Sequence, residues 1–482
     1  MKSPVLSLDE VAAAWDEHAL PALREFVQIP AKSPHFDADW AENGHLERAV
    51  VLGADFCRRL LPGAAVEIIR LEGRTPVLFV DAPGTGPGTA LIYGHLDKQP
   101  EAEGWSDGLG PWQPVVRDGR LYGRGAVDDG YALFSAATAV SLLHGRGGGA
   151  PRCVFLLECC EESGSFDLPA YLDHLADRIG TPDLVVVPDA GCGSYDRLWC
   201  TTSLRGMITG VLRVDVLRDG VHSGDAGGVV PSSFRILRSL LSRIEDETDG
   251  RIVLDACCAP IPGLRQEQAA HAGGVLGRTT RDRYPFLDGV EPVSADPGER
   301  ILDRTWRAAL EVTGADGLPP PACAGNVLRP FTAAKLALRL PPTVDAPRAA
   351  ESLRAVLESE PPHGARVRFE PDTAASGWAE PEPPPWLAEA LDHASRHYFG
   401  APPVHMGEGG TIPLMAWLAE RFPEACYLVT GVAGPGSNSH GPDEFLHLDA
   451  VRRLTACIGH VLAEMGAQMG AQVPAGAAPR AS

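Results

Sequence analysis

Residues that can bind metal ions occur where several apolar runs of the sequence end. The run "LIYGHLD" ends with His95 and Asp97, and "FLLECCEE" ends with Glu161 and Glu162. A third run, "VVVPDAG", places Asp189 at the corresponding point. Because ligands of open α/β sheets bind beyond the carboxyl ends of the strands, we expect these side chains to lie close together.

Two further segments contribute the same residue types. Asp128 and Asp129 follow "LYGRGAV" where the next helix begins, and His440, in "GPGSNSHGPDE", follows the run "YLVTGVAG". Zinc takes imidazole and carboxylate ligands, and a pair of ions needs a carboxylate that bridges them. Without cations, several buried carboxylates would repel one another until they took up protons. The residues therefore predict a two-metal site, with one carboxylate left over to accept a proton from activated water.

Continuous apolar runs separated by helices predict the sheet that positions these residues. The runs cover residues 76–80, 89–97, 152–159, 183–191 and 426–434. A helix of the crossover kind, "VDDGYALFSAATAVSLL", lies between the second and the third of them, and an N-terminal helical pattern is interrupted by Pro21. Such an alternation indicates an α/β fold with a mostly parallel sheet covered on both faces.

A stretch with a different hydrophobic pattern lies between the fourth and the fifth apolar run. Residues 206–216 alternate like a half-exposed strand, and "PSSFRILRSLLSRIED" has the pattern of an amphipathic helix. After a loop-rich middle, a strand, a helix and a strand follow at residues 334–342, 345–359 and 365–371. We therefore predict three parts: a catalytic domain of residues 1–203 and 380–466, an inserted α+β domain of residues 204–379, and a disordered tail of residues 467–482.

The composition argues against several classes of function. A formal net charge of −21 at pH 7 disfavours binding to nucleic acid or to an anionic membrane. The N-terminus does not read as a signal peptide, and no apolar stretch approaches the roughly 18 residues of a membrane span. The 11 cysteines are odd in number and form no C-x-x-C pair, which favours reduced thiols in a cytoplasmic protein.

The segments "GHLD", "GRGAVDD", "EESGS", "PDAG" and "NSHGPDE", in that order, resemble metallopeptidase family M20. This family includes carnosinase-type and bacterial dipeptidases, aminoacylases and glutamate carboxypeptidase. The resemblance extends from about residue 20 to 465, and "YGHLDKQP" and "EESGSFDLPAYL" are most similar to the dipeptidase branch. It implies a zinc-peptidase-like catalytic domain and an inserted, ferredoxin-like α+β domain that serves as a lid and in dimerisation.

The resemblance implies a complete set of metal ligands. His95 and Asp189 would bind one divalent ion, Glu162 and His440 would bind the other, and Asp128 would bridge the two. The expected ions are zinc, with manganese and cobalt as alternatives, because such ligand sets accept all three.

The resemblance also implies catalytic residues. Asp97 would hydrogen-bond the ring of His95, and Glu161 would be the general base. Because adjacent residues of an extended segment point to opposite sides, a bend is needed for Glu161 and Glu162 to share one site. His222, in "GVHSGDAGG", would stabilise the oxyanion in the active site of a partner subunit, which implies a homodimer formed through the inserted domain.

Substrate-binding residues follow from two further segments. "GNVLRPFTAAKLALR" places Asn326 and Arg339 where the family binds its substrate, the arginine holding a carboxylate. "GEGGTIP" resembles the family's "REGGSIP" loop, which implies pocket residues Glu408, Gly409, Gly410 and Thr411. Two departures stand out, because Gly130 replaces the lysine of a "DDKG" pattern and Gly407 replaces an arginine of the loop.

The reading that we favour is a dipeptidase, or a hydrolase of small aminoacyl amides. An N-acyl-amino-acid deacylase with the same metal centre stays open, and so does a non-catalytic relative that binds a peptide or metal. The string "GWSDG" at residues 104–108 matches a serine-hydrolase motif but has no strand before it and no helix after it. Cys159 and Cys160 are adjacent and read as packing residues rather than as a redox site.

Overall fold

The computed structural model describes residues 6–147 and 149–472, which form two compact units. The first unit comprises the residues up to Thr201, Glu380–His405, and the residues from Trp417 onward. The second comprises Thr202–Ala379 and Met406–Ala416. The second unit is thus inserted into the sequence of the first, and the lid and dimerisation roles that the resemblance implies for it stay predictions.

The first unit is built around a six-stranded sheet. Its strands, in spatial order, are Ala65–Ile69, Val77–Ala82, Arg152–Glu158, Thr89–His95, Leu184–Val187 and Cys426–Val429. The last four strands form three parallel pairs, so the predicted α/β class with a mostly parallel sheet is confirmed. Because these strands are buried almost throughout, their sequences are continuous apolar runs rather than alternating ones.

The first two strands of this order run antiparallel to their neighbours. The sequence predicted Val77–Ala82 as one of the apolar runs of the sheet and did not predict Ala65–Ile69. A parallel connection needs a crossover of about a dozen residues or more. Only the short segment 83–88 joins Val77–Ala82 to Thr89–His95, so the chain turns back and these two strands run in opposite directions.

Helices of the first unit follow or precede these strands. They are Leu8–Ala14, Trp15–Ala19, Leu20–Val27, Trp40–Asn43, His45–Leu60, Ala126–Gly130, Tyr131–Gly145, Glu161–Ser163, Leu168–His174, Ala176–Ile179, Pro385–Tyr398, Pro413–Arg421 and Leu448–Gln472, of which Pro413–Arg421 begins in the second unit. The N-terminal helical stretch continues past Pro21, because this residue lies in the first turn of its segment, where a missing N–H is tolerated.

The C-terminal helix extends farther than expected. It runs from Leu448 to Gln472, so the predicted disorder is wrong for residues 467–472. Met465 is buried in the hydrophobic core of the unit and Met469 packs against that core, which carries the helix beyond the predicted end of the domain. The rest of the predicted tail, residues 473–482, lies outside the described residues.

The second unit contains a four-stranded antiparallel sheet. Its strands, in spatial order, are Ala309–Asp316, Phe331–Leu340, Gly206–Asp215 and Arg366–Ala375. Burial alternates strictly along Gly206–Asp215, as the sequence pattern predicted. Residues of helices Ser233–Leu241 and Ala346–Glu358 join the apolar core on one face of this sheet.

The middle of this unit was predicted to be rich in loops, and this prediction is wrong. The middle part contains helices Gly263–Leu276 and Pro297–Thr305 and the edge strand Ala309–Asp316, with short helical turns at Asp255–Cys257, Thr279–Asp282 and Pro321–Cys323. Two more short turns of this unit, Ser223–Ala226 and Pro362–Gly364, lie outside that middle part. The first two helices pack closely, since a Cβ on Gly273 would lie 2.5 Å from the main-chain nitrogen of Gly298. The buried residues of Gly263–Leu276 are mostly small, namely Ala269, Ala272 and Gly273 beside Arg265, so this helix has little apolar periodicity for sequence analysis to detect.

Short strands complete the described fold. Val115–Arg117, Arg120–Tyr122 and Phe445–His447 form a small antiparallel sheet, and Val221–His222 pairs with Val327–Leu328. The others are Trp199–Leu204, Trp378–Ala379 and Val404–Glu408. Within residues 6–147 and 149–472, no helix combines the length and the apolar character needed to cross a membrane.

Candidate metal centre

His95 is the last residue of the strand Thr89–His95, and its ring is buried. Its Nε2 atom lies 3.3 Å from Oδ1 of Asp128 and 3.7 Å from Oδ2 of Asp189. Asp189 follows the neighbouring strand Leu184–Val187, and Asp128 lies in the turn Ala126–Gly130 before a helix. Three segments far apart in the sequence therefore bring one imidazole and two carboxylates together.

A second group of the same kind contains His440. Its Nε2 atom lies 2.8 Å from Oδ2 of Asp128 and 3.4 Å from Oε2 of Glu162. Asp128 therefore turns one carboxylate oxygen toward each histidine. The ligand atoms of each group, His95–Asp128–Asp189 and Asp128–Glu162–His440, lie within 4.8 Å of one another. The structure thus brings together the five residues that the sequence predicts as metal ligands, with Asp128 common to both groups.

The donor atoms of both groups suit divalent cations. Each group offers an imidazole nitrogen and carboxylate oxygens, which zinc, manganese and cobalt all accept. Nε2 of His95 and Oε1 of Glu162 are buried without a hydrogen-bond partner among the described residues. Because buried polar atoms are nearly always satisfied, these two atoms are available for coordination. The residues present therefore fit a pair of divalent cations.

The electrostatics of the site lead to the same conclusion. Burial raises the pKa of Glu162 and of Asp189 well above the usual range, and neighbouring carboxylates raise it further. Burial also opposes ionisation of Asp128, but the imidazoles of His440 and His95 hold the pKa of its carboxyl below the usual range. Carboxyl groups packed this closely retain protons unless cations balance their charge.

Asp97 contacts the ring of His95 and also makes contacts that were not expected. Nδ1 of His95 lies 3.0 Å from the main-chain oxygen of Asp97 and 3.5 Å from its carboxylate. The main-chain oxygen can only accept, so Nδ1 carries the proton and Nε2 keeps its lone pair for a metal. The Asp97 carboxylate also accepts hydrogen bonds from the main-chain N–H groups of Glu161 (3.1 Å) and Glu162 (3.0 Å). Asp97 thus orients the ring through its backbone and the two glutamates through its side chain.

Glu161 lies beside both metal-ligand groups. The bend that its position requires is present, because Glu161–Ser163 is a 3-10 turn ended by Gly164 at a φ of 92°. Its Oε2 atom lies 3.8 Å from Nε2 of His95. Burial raises the pKa of Glu161 to about 7, and the charges of Asp97 and Asp128 contribute in the same direction. A carboxyl group that titrates near neutral pH can both accept and return a proton.

Sequence analysis missed three residues that hold the ligand segments in place. Gln99 donates from Nε2 to Oε2 of Glu162 at 2.6 Å. Arg124 and Glu444 form a fully buried ion pair. Arg124 lies in the motif "GRGAVDD" and Glu444 in "NSHGPDE". Neither was assigned a role, because the two residues are 320 positions apart in the sequence.

The cysteines before Glu161 do not participate in this site. Cys159 and Cys160 are buried, and burial raises the pKa of the Cys159 thiol well above its usual value. Cys160 donates from Sγ to Oε2 of Glu158 at 3.2 Å. Buried, protonated thiols are poor nucleophiles, in agreement with their interpretation as packing residues.

The remaining predicted residues lie in the second unit. His222 is exposed, and its Nδ1 accepts a hydrogen bond from the main-chain N–H of Gly224 at 3.2 Å. The next residue, Ser223, donates its N–H to the main-chain oxygen of Asn326 at 2.9 Å, so His222 and Asn326 are close neighbours. The second pair of predicted residues is also in contact, because Nη1 of Arg339 donates to Oγ1 of Thr411 at 2.9 Å.

Comparison with known proteins gives concordant matches. The model of Peptidase family M20/M25/M40 matches residues 91–464. The chain is 29% identical to the cysteinylglycine-S-conjugate dipeptidase of Corynebacterium striatum, over 91% of this chain and 90% of that protein. It is 26% identical to the beta-Ala-His dipeptidase of Homo sapiens, over 90% and 89% of the two chains. The crystal structure of human carnosine dipeptidase 1 has the same fold, with a TM-score of 0.72 at 22% identity over 96% of this chain and 100% of that chain.

Proposed function

The chain belongs to peptidase family M20/M25/M40, and on that basis we propose that it is a metal-dependent dipeptidase. The family match covers residues 91–464, so the resemblance predicted from the motifs is confirmed. Similar proteins named for the hydrolysis of cysteinylglycine S-conjugates and of beta-Ala-His support a substrate of two residues. The bond cleaved is the peptide bond of a dipeptide or of a small aminoacyl amide.

The observation that carries this proposal is the carboxylate of Asp128, which is common to two groups of ligands. His95 and Asp189 would hold one cation with it, and Glu162 and His440 would hold the other. When bound, such cations supply Lewis-acid activation of the attacking water and of the substrate carbonyl. Zinc is the ion that we propose, with manganese or cobalt as alternatives of the same ligand chemistry.

Glu161 is the proton carrier of the proposed reaction. Its Oε2 accepts a proton from the attacking water, and the same oxygen later delivers it to the nitrogen of the leaving amine. Burial raises the pKa of this group in the absence of cations, and the positive charge of bound cations would lower it, which favours the ionised form that acts as the base. Asp97 holds the main-chain N–H groups of Glu161 and Glu162, which keeps the base and the ligand in their separate orientations.

We assign recognition of the substrate to the second unit. Arg339 binds the terminal carboxylate of the dipeptide, and Asn326 and the segment from Glu408 to Thr411 bind the rest. His222 stabilises the oxyanion from a partner subunit, and its exposed ring supports this role in a homodimer. The 11 free cysteines support a cytoplasmic location, where thiols stay reduced.

A chelation experiment tests the proposed activity. Removal of bound metal should abolish hydrolysis of a panel of free dipeptides, and addition of zinc, manganese or cobalt should restore it. The same dipeptides with an acylated amino group serve as the control, because a deacylase would prefer them. Hydrolysis that survives complete metal removal, or that occurs only with the acylated compounds, would contradict the proposal.

A further inference from the structure

The second unit gathers three arginine side chains around one short segment, residues 406–411. They are Arg205, Arg304 and Arg339. Acidic residues outnumber Lys and Arg by 63 to 42 in this chain, yet none of the three forms an ion pair with a carboxylate within the described ranges. Arg307, from the same part of the unit, is by contrast paired with both Asp303 and Glu299.

Arg304 is the least satisfied of the three arginines. Its one hydrogen-bond contact within residues 6–147 and 149–472 joins Nη2 to the thioether sulfur of Met406 at 3.6 Å. Sulfur is a weak acceptor, and a guanidinium carries five N–H donors. The side chain is only partly exposed, so its unused donors are not simply those of a solvated surface arginine.

Arg205 is held by the main chain and repelled by its neighbours. It donates to the main-chain oxygens of Gly409 and Asp303, each at 3.4 Å. Burial, together with the charges of Arg339 and Arg304, lowers the pKa of Arg205 to about 10. A Cβ on Gly409 would lie 3.1 Å from Cγ of Arg304 and 3.3 Å from Nη2 of Arg205, so these two side chains flank the same glycine. Arg205 is therefore repelled by both of the other arginines, and an anion bound beside it would relieve that repulsion.

The acidic residue of the segment does not cancel this charge. Glu408 attracts Arg304, but burial and the positive charge of Arg283 outweigh that attraction, so the pKa of Arg304 is lowered. Three glycines, at 407, 409 and 410, leave the segment without other side chains near its centre. A Cβ on Gly410 would meet nothing within 4 Å, whereas a Cβ on Gly407 would lie 2.3 Å from Oγ of Ser203. An arginine at position 407 therefore has no room, while space remains open beside Gly410.

We propose that Arg304 and Arg339 together select dipeptides with a second negative charge, namely those whose C-terminal residue is aspartate or glutamate. This inference rests on the proposed dipeptidase function. Arg339 binds the terminal carboxylate, Arg304 binds the side-chain carboxylate, and Arg205 positions the segment that separates them. Guanidinium groups suit this task, because their planar N–H pairs match a carboxylate and stay charged.

Matched pairs of substrates test the inference on the metal-loaded enzyme. Ala-Glu and Ala-Gln have the same shape and differ in one charge, as do Ala-Asp and Ala-Asn. We expect kcat/KM to favour the acidic member of each pair by about tenfold or more, mainly through a lower KM. Arg304→Met should bring the ratio close to one, and Arg304→Lys should keep part of it. Arg278→Met, which removes an exposed charge from the same unit, should leave the ratio unchanged.

Each outcome separates the inference from the proposed function. If all four dipeptides are hydrolysed without preference for the acidic members, the substrate class is wrong while the dipeptidase function stands. If the preference exists but persists in Arg304→Met and Arg304→Lys, Arg304 is not its source. If none of the four is hydrolysed, nor any dipeptide of a wider panel, the proposed function itself fails.

Discussion

The buried ion pair of Arg124 and Glu444 should control both folding stability and metal affinity. Glu444 accepts hydrogen bonds from the main-chain N–H groups of Gly125 (2.9 Å) and Val127 (3.2 Å), next to Asp128. Arg124 donates to the main-chain oxygen of Gly441, next to His440, at 3.0 Å. The pair therefore ties the segment that carries the shared ligand to the segment that carries the second histidine.

The variant Glu444→Gln keeps the shape of this side chain and removes its charge. Both partners of the pair are at most 1% exposed, so Arg124 would be left as a buried, uncompensated charge. Breaking a buried pair in this way costs about 3–5 kcal/mol of unfolding free energy. Loss of contacts that orient metal ligands weakens metal binding by about 10–100-fold. We expect both effects, because the same carboxylate supports the fold and the ligand turn.

Urea unfolding of the metal-free protein and competition with a chelator measure these two quantities. Asp449→Asn is the matched control, since Asp449 forms an exposed pair with Arg453 and its loss should cost no more than about 1 kcal/mol. The reasoning is refuted if Glu444→Gln has the same stability and the same metal affinity as this control. A loss of stability with unchanged metal affinity would refute the positioning role alone.

Three further predictions follow from the geometry. Glu161→Gln should lower kcat by at least about 100-fold while metal content stays unchanged, and an undiminished rate would exclude Glu161 as the base. Burial lowers the pKa of Lys98 in the folded state well below its usual 10.5. At a pH between the folded and the unfolded pKa the unfolded state binds more protons, so the free energy of unfolding should rise with pH in that range. This rise should vanish in Lys98→Met, as unfolding between pH 8 and 10 can check, and an unchanged slope would contradict it. Gly130→Ala should destabilise the fold by about 1–3 kcal/mol. The added Cβ would lie 2.4 Å from both the ring of Phe26 and the main-chain oxygen of Gly125. A thermal unfolding midpoint equal to that of the wild type would refute this prediction.

The metal ligands could be predicted because each follows a strongly apolar strand or opens the next element. Parallel strands place their carboxyl ends at one edge, so the strand order did not have to be known to expect a cluster. The contact of Asp97 could not be predicted in the same way. Its main-chain oxygen lies nearer to the His95 ring than its carboxylate does, and residue types do not reveal this difference.

The departure at position 130 also has a physical reason that only the structure reveals. Gly130 has no room for a side chain, and the stem of the buried Lys98 packs against Gly125 in the same turn. Nζ of Lys98 donates to the main-chain oxygens of Phe26 (2.7 Å) and Ile29 (2.8 Å). A lysine is thus present next to this turn, although it comes from a different segment of the chain.

The number of metal ions bound per chain tests the central claim most directly. Because Asp128 belongs to both ligand groups, metal analysis of purified protein should find two divalent ions per chain in the wild type. His440→Ala should retain one ion, and Asp128→Ala should lose both or bind them far more weakly. If Asp128→Ala retains both ions with unchanged affinity, or if the wild type binds only one, the shared-carboxylate centre is contradicted.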